Sequence, residues 1–188
     1  MTSLQIVTPP TSEPVNLNEA KEHLRVEHTE DDTLIEGLIT SAREWCEGFL
    51  NRAIITQTRK LTISKWPVKP LRLPGSPIQE ISSVDYVDSA GETQGVEAVR
   101  YYLTDSGEIS LDYNKEWPSA TLRGPESIHI TYSCGYGDSA KVPQRIKQAI
   151  LLLVGTWYEN REGSTAGSWN EIPFGVRELL WPLREIVL

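Results

Sequence analysis

The chain has 188 residues, 39% of them hydrophobic, and its 18 Lys and Arg against 26 Asp and Glu give a formal net charge of -8. That length buries the core of one domain or two small lobes rather than a string of modules, and the acidity opposes tight binding to nucleic-acid phosphates. The start has neither the charged n-region nor the apolar h-region of a secretory signal, and no apolar run approaches the roughly 20 residues that span a bilayer, so synthesis in the cytoplasm and no membrane partner are expected.

Residues 1–13 combine Thr, Ser and Pro without periodicity and read as an extended arm that orders against a neighbour. Asn16 with Glu19 has the form of a capping box, and Leu17, Ala20 and Leu24 predict a short amphipathic helix over 17–25. A polar break, EHTEDD, leads into a second helix capped by Thr29, whose apolar stripe runs from Leu34 and Ile35 through Ala42, Trp45 and Cys46 to Phe49 and Leu50. From Ile54 the texture changes to β-branched residues and turn formers. Strands are predicted at 54–63, 71–73, 81–87, 101–104, 108–111 and 127–133, with hairpin turns at 88–91 and 105–107 where Gly supplies positive φ.

The stretch VPQRIKQAILLLVGTWYENRE, 142–162, is the organising helix. Pro143 suits a first helical turn, and Ile146, Ala149, Ile150, Leu153, Val154 and Trp157 mark one face. Leu151 and Leu152 make its middle apolar all round, so it needs packing partners on several sides. Burial of 150–154 contributes on the order of 10 kcal/mol before ordering entropy is subtracted. A loop, GSTAGSWNEIP, separates it from a short helix at 174–180 that ends near Pro182. The fold class is α+β. A discontinuous helical unit, with its first part at 14–53 and its second at 138–171, carries an inserted antiparallel β lobe at 54–137, an N-terminal arm at 1–13, and a C-terminal helix and docking tail at 172–188.

Reacting groups are not arranged for chemistry. His23, His28 and His129 with Cys46 and Cys134 match no zinc spacing, Gly-x-Ser-x-Gly is absent, and Gly135-Tyr136-Gly137 lacks the remaining residues of a phosphate loop. No enzyme activity, metal or cofactor is expected, and the two cysteines read as buried free thiols. Two features point to contacts instead. Eight acids fall between Glu13 and Glu36 against Lys21 and Arg25; they read as a solvated face, a docking patch for a basic partner, or a lining that keeps passing DNA from sticking. Of six Trp, Trp169 and Trp181 lie in a loop and near the end, and suit a protein interface.

Taken in order, EPVNLNEAKEHLRVE, AREWCEGFLNRAIITQT, GYGDSAKVPQRIKQAILLLVGTWYENRE and IPFGVRELLWPLR resemble the head-tail connector, or adaptor, proteins of long-tailed double-stranded DNA bacteriophages and related gene-transfer particles. The resemblance covers most of 13–184 and is strongest in the helical parts. It implies a structural virion protein of the neck, between head and tail. There it forms a dodecameric ring below the portal protein after DNA packaging and offers a platform to the next neck, stopper or tail-completion protein. DNA passes through its channel without sequence-specific binding. It further implies that Glu30, Asp31 and Asp32 line or rim the channel, that Trp157, Tyr158, Asn160 and Arg161 contact the neighbouring copy, and that the tail residues Ile172, Phe174, Trp181, Leu183, Ile186 and Leu188 dock on the portal. On that view the tail can be deleted from Trp181 onward with the fold intact. A DNA-packaging or regulatory DNA-binding factor is the alternative, though no basic cluster supports it, and a small hydrolase is a distant third.

Overall fold

Asn16 turns its side chain back over the following residues: its Oδ1 accepts from the Glu19 N–H at 2.9 Å, and its own N–H donates to Glu19 Oε2 at 2.8 Å. This reciprocal cap, predicted from the spacing, starts helix α1 (Leu17–Leu24) in the computed structural model, which describes residues 2–160 and 174–186. Arg25, at φ 58°, ends the helix in the left-handed region. Helix α2 (Asp32–Leu50) does not take Thr29 as its side-chain cap. Thr29 supplies only its carbonyl, to the Asp32 N–H at 3.2 Å, and Asp31 occupies the cap position. Asn51, which tolerates positive φ better than most residues, ends α2 at φ 55°.

The organising helix, α3 (Gln144–Glu159), buries Ile146, Ala149, Ile150, Leu153 and Val154 as its periodicity predicts. Leu151, Leu152, Trp157 and Tyr158 are half-buried against the same core. Its partners are α1, α2 and α4 (Phe174–Leu180), which accounts for the apolar residues all round its middle. Ile54 and Ile55 also belong to this core. The predicted first strand therefore begins three residues late, because β-branched residues that suit a strand are spent here on helix packing, and strand pairing starts only at Gln57.

The chain divides into two compact units, one holding Met1–Pro10 and Thr56–Gly135, the other Thr11–Ile55 and Tyr136–Leu188. The β unit is built on β2 (Gln57–Ile63) and β8 (Ile128–Cys134), antiparallel in the register Leu61 to Ile130. In β8 the alternation is complete: Ile128, Ile130, Tyr132 and Cys134 are buried while the residues between them are half-exposed. On its other side β8 pairs with β4 (Ile78–Val87), which pairs in turn with β5 (Thr93–Gly95). The far edge holds the largest departure from expectation. Residues 2–8 are not an unattached arm but strand β1 (Thr2–Thr8), paired along β2 from Thr2 with Ile63 to Thr8 with Thr58. A second, smaller sheet orders β3 (Leu71–Arg72), β7 (Glu108–Leu111) and β6 (Tyr101–Leu103). Beside these strands Trp66 stacks on Trp117 at 5.0 Å between ring centroids, and the Trp117 indole N–H donates to the Pro67 carbonyl at 3.0 Å.

Both cysteines are free and buried. Burial, with Glu47 nearby, pushes the Cys46 thiol up to about 12, so the reactive thiolate is scarce at neutral pH. Neither thiol should react with a water-soluble disulfide reagent at about pH 8 in the folded protein, and both should react in denaturant. Rapid labelling of the native chain at Cys46 would contradict this packing.

Candidate functional site

Glu30, Asp31 and Asp32 lie together at the amino end of α2, yet they are not equivalent. Asp32 Oδ1 accepts from Lys21 Nζ at 2.6 Å, and the same ammonium donates to the His28 carbonyl at 2.6 Å. Asp31 Oδ2 accepts from the Tyr158 hydroxyl of α3. Glu30 faces water with 78% of its side chain exposed, and the His28 ring lies 3.1 Å away. Two of the three acids thus fasten α1 and α3 to the start of α2, where negative charge also suits the helix dipole. Glu30 is the one of the three that presents a carboxylate outward.

The carboxyl end of α3 meets this acidic corner through Tyr158. Two residue sets read separately from the sequence therefore share one place in the helical unit. Trp157 packs half-buried against the core. Asn160 is exposed and turns its amide onto the Thr156 carbonyl at 2.8 Å, and Arg161 lies outside the described residues.

The opposite end of α2 receives the tail. Of the predicted docking residues, Ile172 and Leu188 lie outside the described residues, and Phe174 opens α4, which buries Val176 and Leu180. Beyond α4 a turn of 3-10 helix (Trp181–Leu183) sets Leu183 against the helical core. Arg52 Nε donates to the Leu183 carbonyl at 2.7 Å, the Glu185 N–H to the Leu50 carbonyl at 2.9 Å, and Asn51 Nδ2 to the Glu185 carbonyl at 3.1 Å. The Leu50 carbonyl, left over by the α2 ladder, is satisfied in this way, and the other two bonds satisfy carbonyls of the tail. Trp181 and Ile186 stay out, at 62% and 74% exposed.

The tail is therefore packed into the helical unit, so its removal, expected from the sequence to leave the fold intact, should still cost stability. Truncation before Trp181 should lower stability by about 2 kcal/mol through lost Leu183 packing and the lost bond to the Leu50 carbonyl, read as a lowered urea midpoint. An unchanged midpoint would contradict the contacts.

Sequence reading missed the aromatic ladder under this tail. Trp45 and Phe49, four residues apart on α2, stack at 5.4 Å, and Phe49 reaches the Trp181 ring at 6.4 Å. The Arg184 guanidinium lies over both, 5.2 Å from the Phe49 centroid and 5.6 Å from that of Trp181. The spacing of Trp45 and Phe49 was visible; their pairing with residues far along the chain was not.

Also missed was Arg43, only 6% exposed in α2. Its Nε donates to Glu13 Oε2 at 2.8 Å and its Nη1 to Glu47 Oε2 at 3.2 Å. Burial opposes its charge, but the Glu13 hydrogen bond and the Glu13, Glu47 and Glu44 carboxylates outweigh it and hold the guanidinium above its ordinary value. The remaining oxygens are taken as well: Thr40 donates to Glu13 Oε1 at 3.1 Å and the Ile54 N–H to Glu47 Oε1 at 2.8 Å. The cluster ties the segment before α1 and the segment after α2 to one face of α2.

Among the described residues no group of three or more His, Cys, Asp or Glu side chains is placed to hold a metal ion, and no helix is long and apolar enough to cross a membrane. What the helical unit shows at the two ends of α2 is internal bonding, the acidic corner held to α1 and α3 and the tail held to Leu50, Asn51 and Arg52. The profile of the head completion protein family matches residues 15–170, and the chain belongs to that family. Membership makes it a structural protein and not an enzyme, in line with the resemblance read from the sequence.

Among solved structures, a chain from the neck of an empty gene transfer agent particle computed with C6 symmetry shares the fold at a TM-score of 0.80 and 23% identity, over 99% of this chain and 97% of that one. A chain from the virion of a native gene transfer agent particle matches at 0.81 and 23%, over 98% and 96%. A chain from the neck of the native particle computed with C12 symmetry matches at 0.77 and 23%, over 100% and 97%. These likenesses bear out the α+β class. Comparison with curated proteins gave no match.

Proposed function

We propose that the chain is a head-tail connector of the virion neck. It forms a dodecameric ring below the portal protein after packaging, surrounds the channel through which DNA passes without sequence-specific contacts, and offers a platform to the next neck, stopper or tail-completion protein. The observation that carries this reading is the family match over 15–170, with a fold shared nearly end to end with chains from particle necks, one computed with C12 symmetry.

A ring requires heterologous contacts, in which two different surfaces of one subunit meet their counterparts on its neighbours. The end of α3 supplies one of them, with Asn160 exposed and Trp157 half-exposed beside it. Glu30 rims the channel, which its outward carboxylate supports, while Asp31 and Asp32 hold it there. The tail docks on the portal through Trp181 and Ile186, apolar side chains left uncovered among the described residues. Mixed with portal rings, the protein should form closed rings stacked on the portal, visible by electron microscopy. A chain that stays monomeric there and never joins particles would sink the proposal.

A further inference from the structure

The portal-docking end exposes arginines in a protein of formal net charge -8. Arg177 lies in α4, Arg184 follows the 3-10 turn over the Phe49 and Trp181 rings, and Arg52 donates to the Leu183 carbonyl. Arg177 and Arg184 are exposed, and among the described residues none of the three forms an ion pair with a carboxylate. Nearby acids are already engaged: Glu47 and Glu44 lie on Arg43, and Glu185 is buried. Glu178 is the exposed acid of α4.

Arg177 stands in α4 four residues before Trp181, and the Arg184 guanidinium lies 5.2 Å from the Phe49 centroid and 5.6 Å from that of Trp181. Its contact with the rings holds the guanidinium in place while leaving N–H donors for a partner. Beside it stand the uncovered Trp181 and Ile186. The tail is bonded to the end of α2 before any partner arrives, so little ordering entropy is lost on docking.

We infer that this corner takes an acidic segment of the portal, whose carboxylates pair with Arg177 and Arg184 while an adjacent apolar side chain covers Trp181 and Ile186. The inference rests on the portal-docking reading above and states the chemistry of that partner. Opposite charges across such a contact set the register of docking and make it salt-dependent.

The test uses immobilised portal rings and the full-length chain at about 0.05 M and about 0.5 M NaCl. Wild-type affinity should fall by about tenfold or more at the higher salt. The double variant Arg177→Glu, Arg184→Glu should bind at least about tenfold more weakly at low salt and lose most of the salt dependence. Trp181→Ala should weaken binding at both salts. Arg177→Glu alone, at an exposed position, keeps the fold intact, as circular dichroism will verify, and should give part of the same loss. Charge-reversed variants that bind with wild-type affinity and salt dependence would overturn the acidic partner while leaving the connector reading standing. A wild-type chain that binds portal rings at neither salt would overturn both.

Discussion

Leu153→Asp should leave the helical unit unfolded. Leu153 has no exposed surface and sits in α3, which packs against every other described α-helix of the unit. Removing a buried leucine from such a site costs about 2–5 kcal/mol, and placing an unpaired carboxylate there costs several more. Together these rival the whole 5–15 kcal/mol or so by which a domain is stable. The result should be loss of near-ultraviolet circular dichroism and elution in the void volume on size exclusion.

Two controls make the prediction specific. Leu34→Asp, also on an apolar stripe but 40% exposed, should change stability by no more than about 0.5 kcal/mol. Leu152→Asp, half-buried, should fall between them. A Leu153→Asp chain that unfolded cooperatively within about 1 kcal/mol of wild type would show that α3 is not the organiser.

Much of the fold was legible because its signals are local. The Asn16 to Glu19 cap, the period of α2 and α3, and the alternation in β8 each depend on residues a few positions apart, and the structure keeps all three. Strand β1 was not legible. All seven of its residues are exposed, and what holds it is backbone pairing to β2, from Thr8 with Thr58 to Thr2 with Ile63. Ile54 and Ile55 misled for a related reason: β-propensity reports a shape that fits a half-buried sheet, and a helical core accepts the same side chains.

At the candidate surfaces, sequence reading located the acidic corner and the tail but not their internal bonding. Asp31 and Asp32 read as solvated charges, since nothing near them in sequence names Tyr158, and Lys21 lies across a break in helical structure. The tail read as a loose end because its partners, Leu50, Asn51 and Arg52, are more than 130 residues away. If the tail docks on the portal as proposed, a segment already folded presents Trp181 in one orientation, and affinity should depend on the aromatic contact itself and less on the cost of ordering.

Arg43→Met should destabilise the protein by about 3 kcal/mol, a large effect for a single charged residue. An exposed arginine in a surface pair would give less than about 1 kcal/mol. Here the guanidinium side chain is 8% exposed and Glu47 10% exposed, so removing the cation strands at least one carboxylate in a poorly solvated place. Methionine retains much of the apolar stem, and the loss therefore reports the charge cluster more than a cavity.

A sequence signal for this role did exist. Arg43 stands four residues after Ile39 and three before Cys46, both buried, which places it on the apolar stripe itself. Guanidinium midpoints for Arg43→Met, Glu13→Gln and the double variant would isolate the pair. Because the two side chains share one network, the double variant should lose clearly less than the sum of the single losses, by about 1 kcal/mol or more. Strict additivity would mean that the Arg43–Glu13 bond contributes nothing of its own. It would also remove the link by which this buried cation holds the segment before α1 on the face of α2.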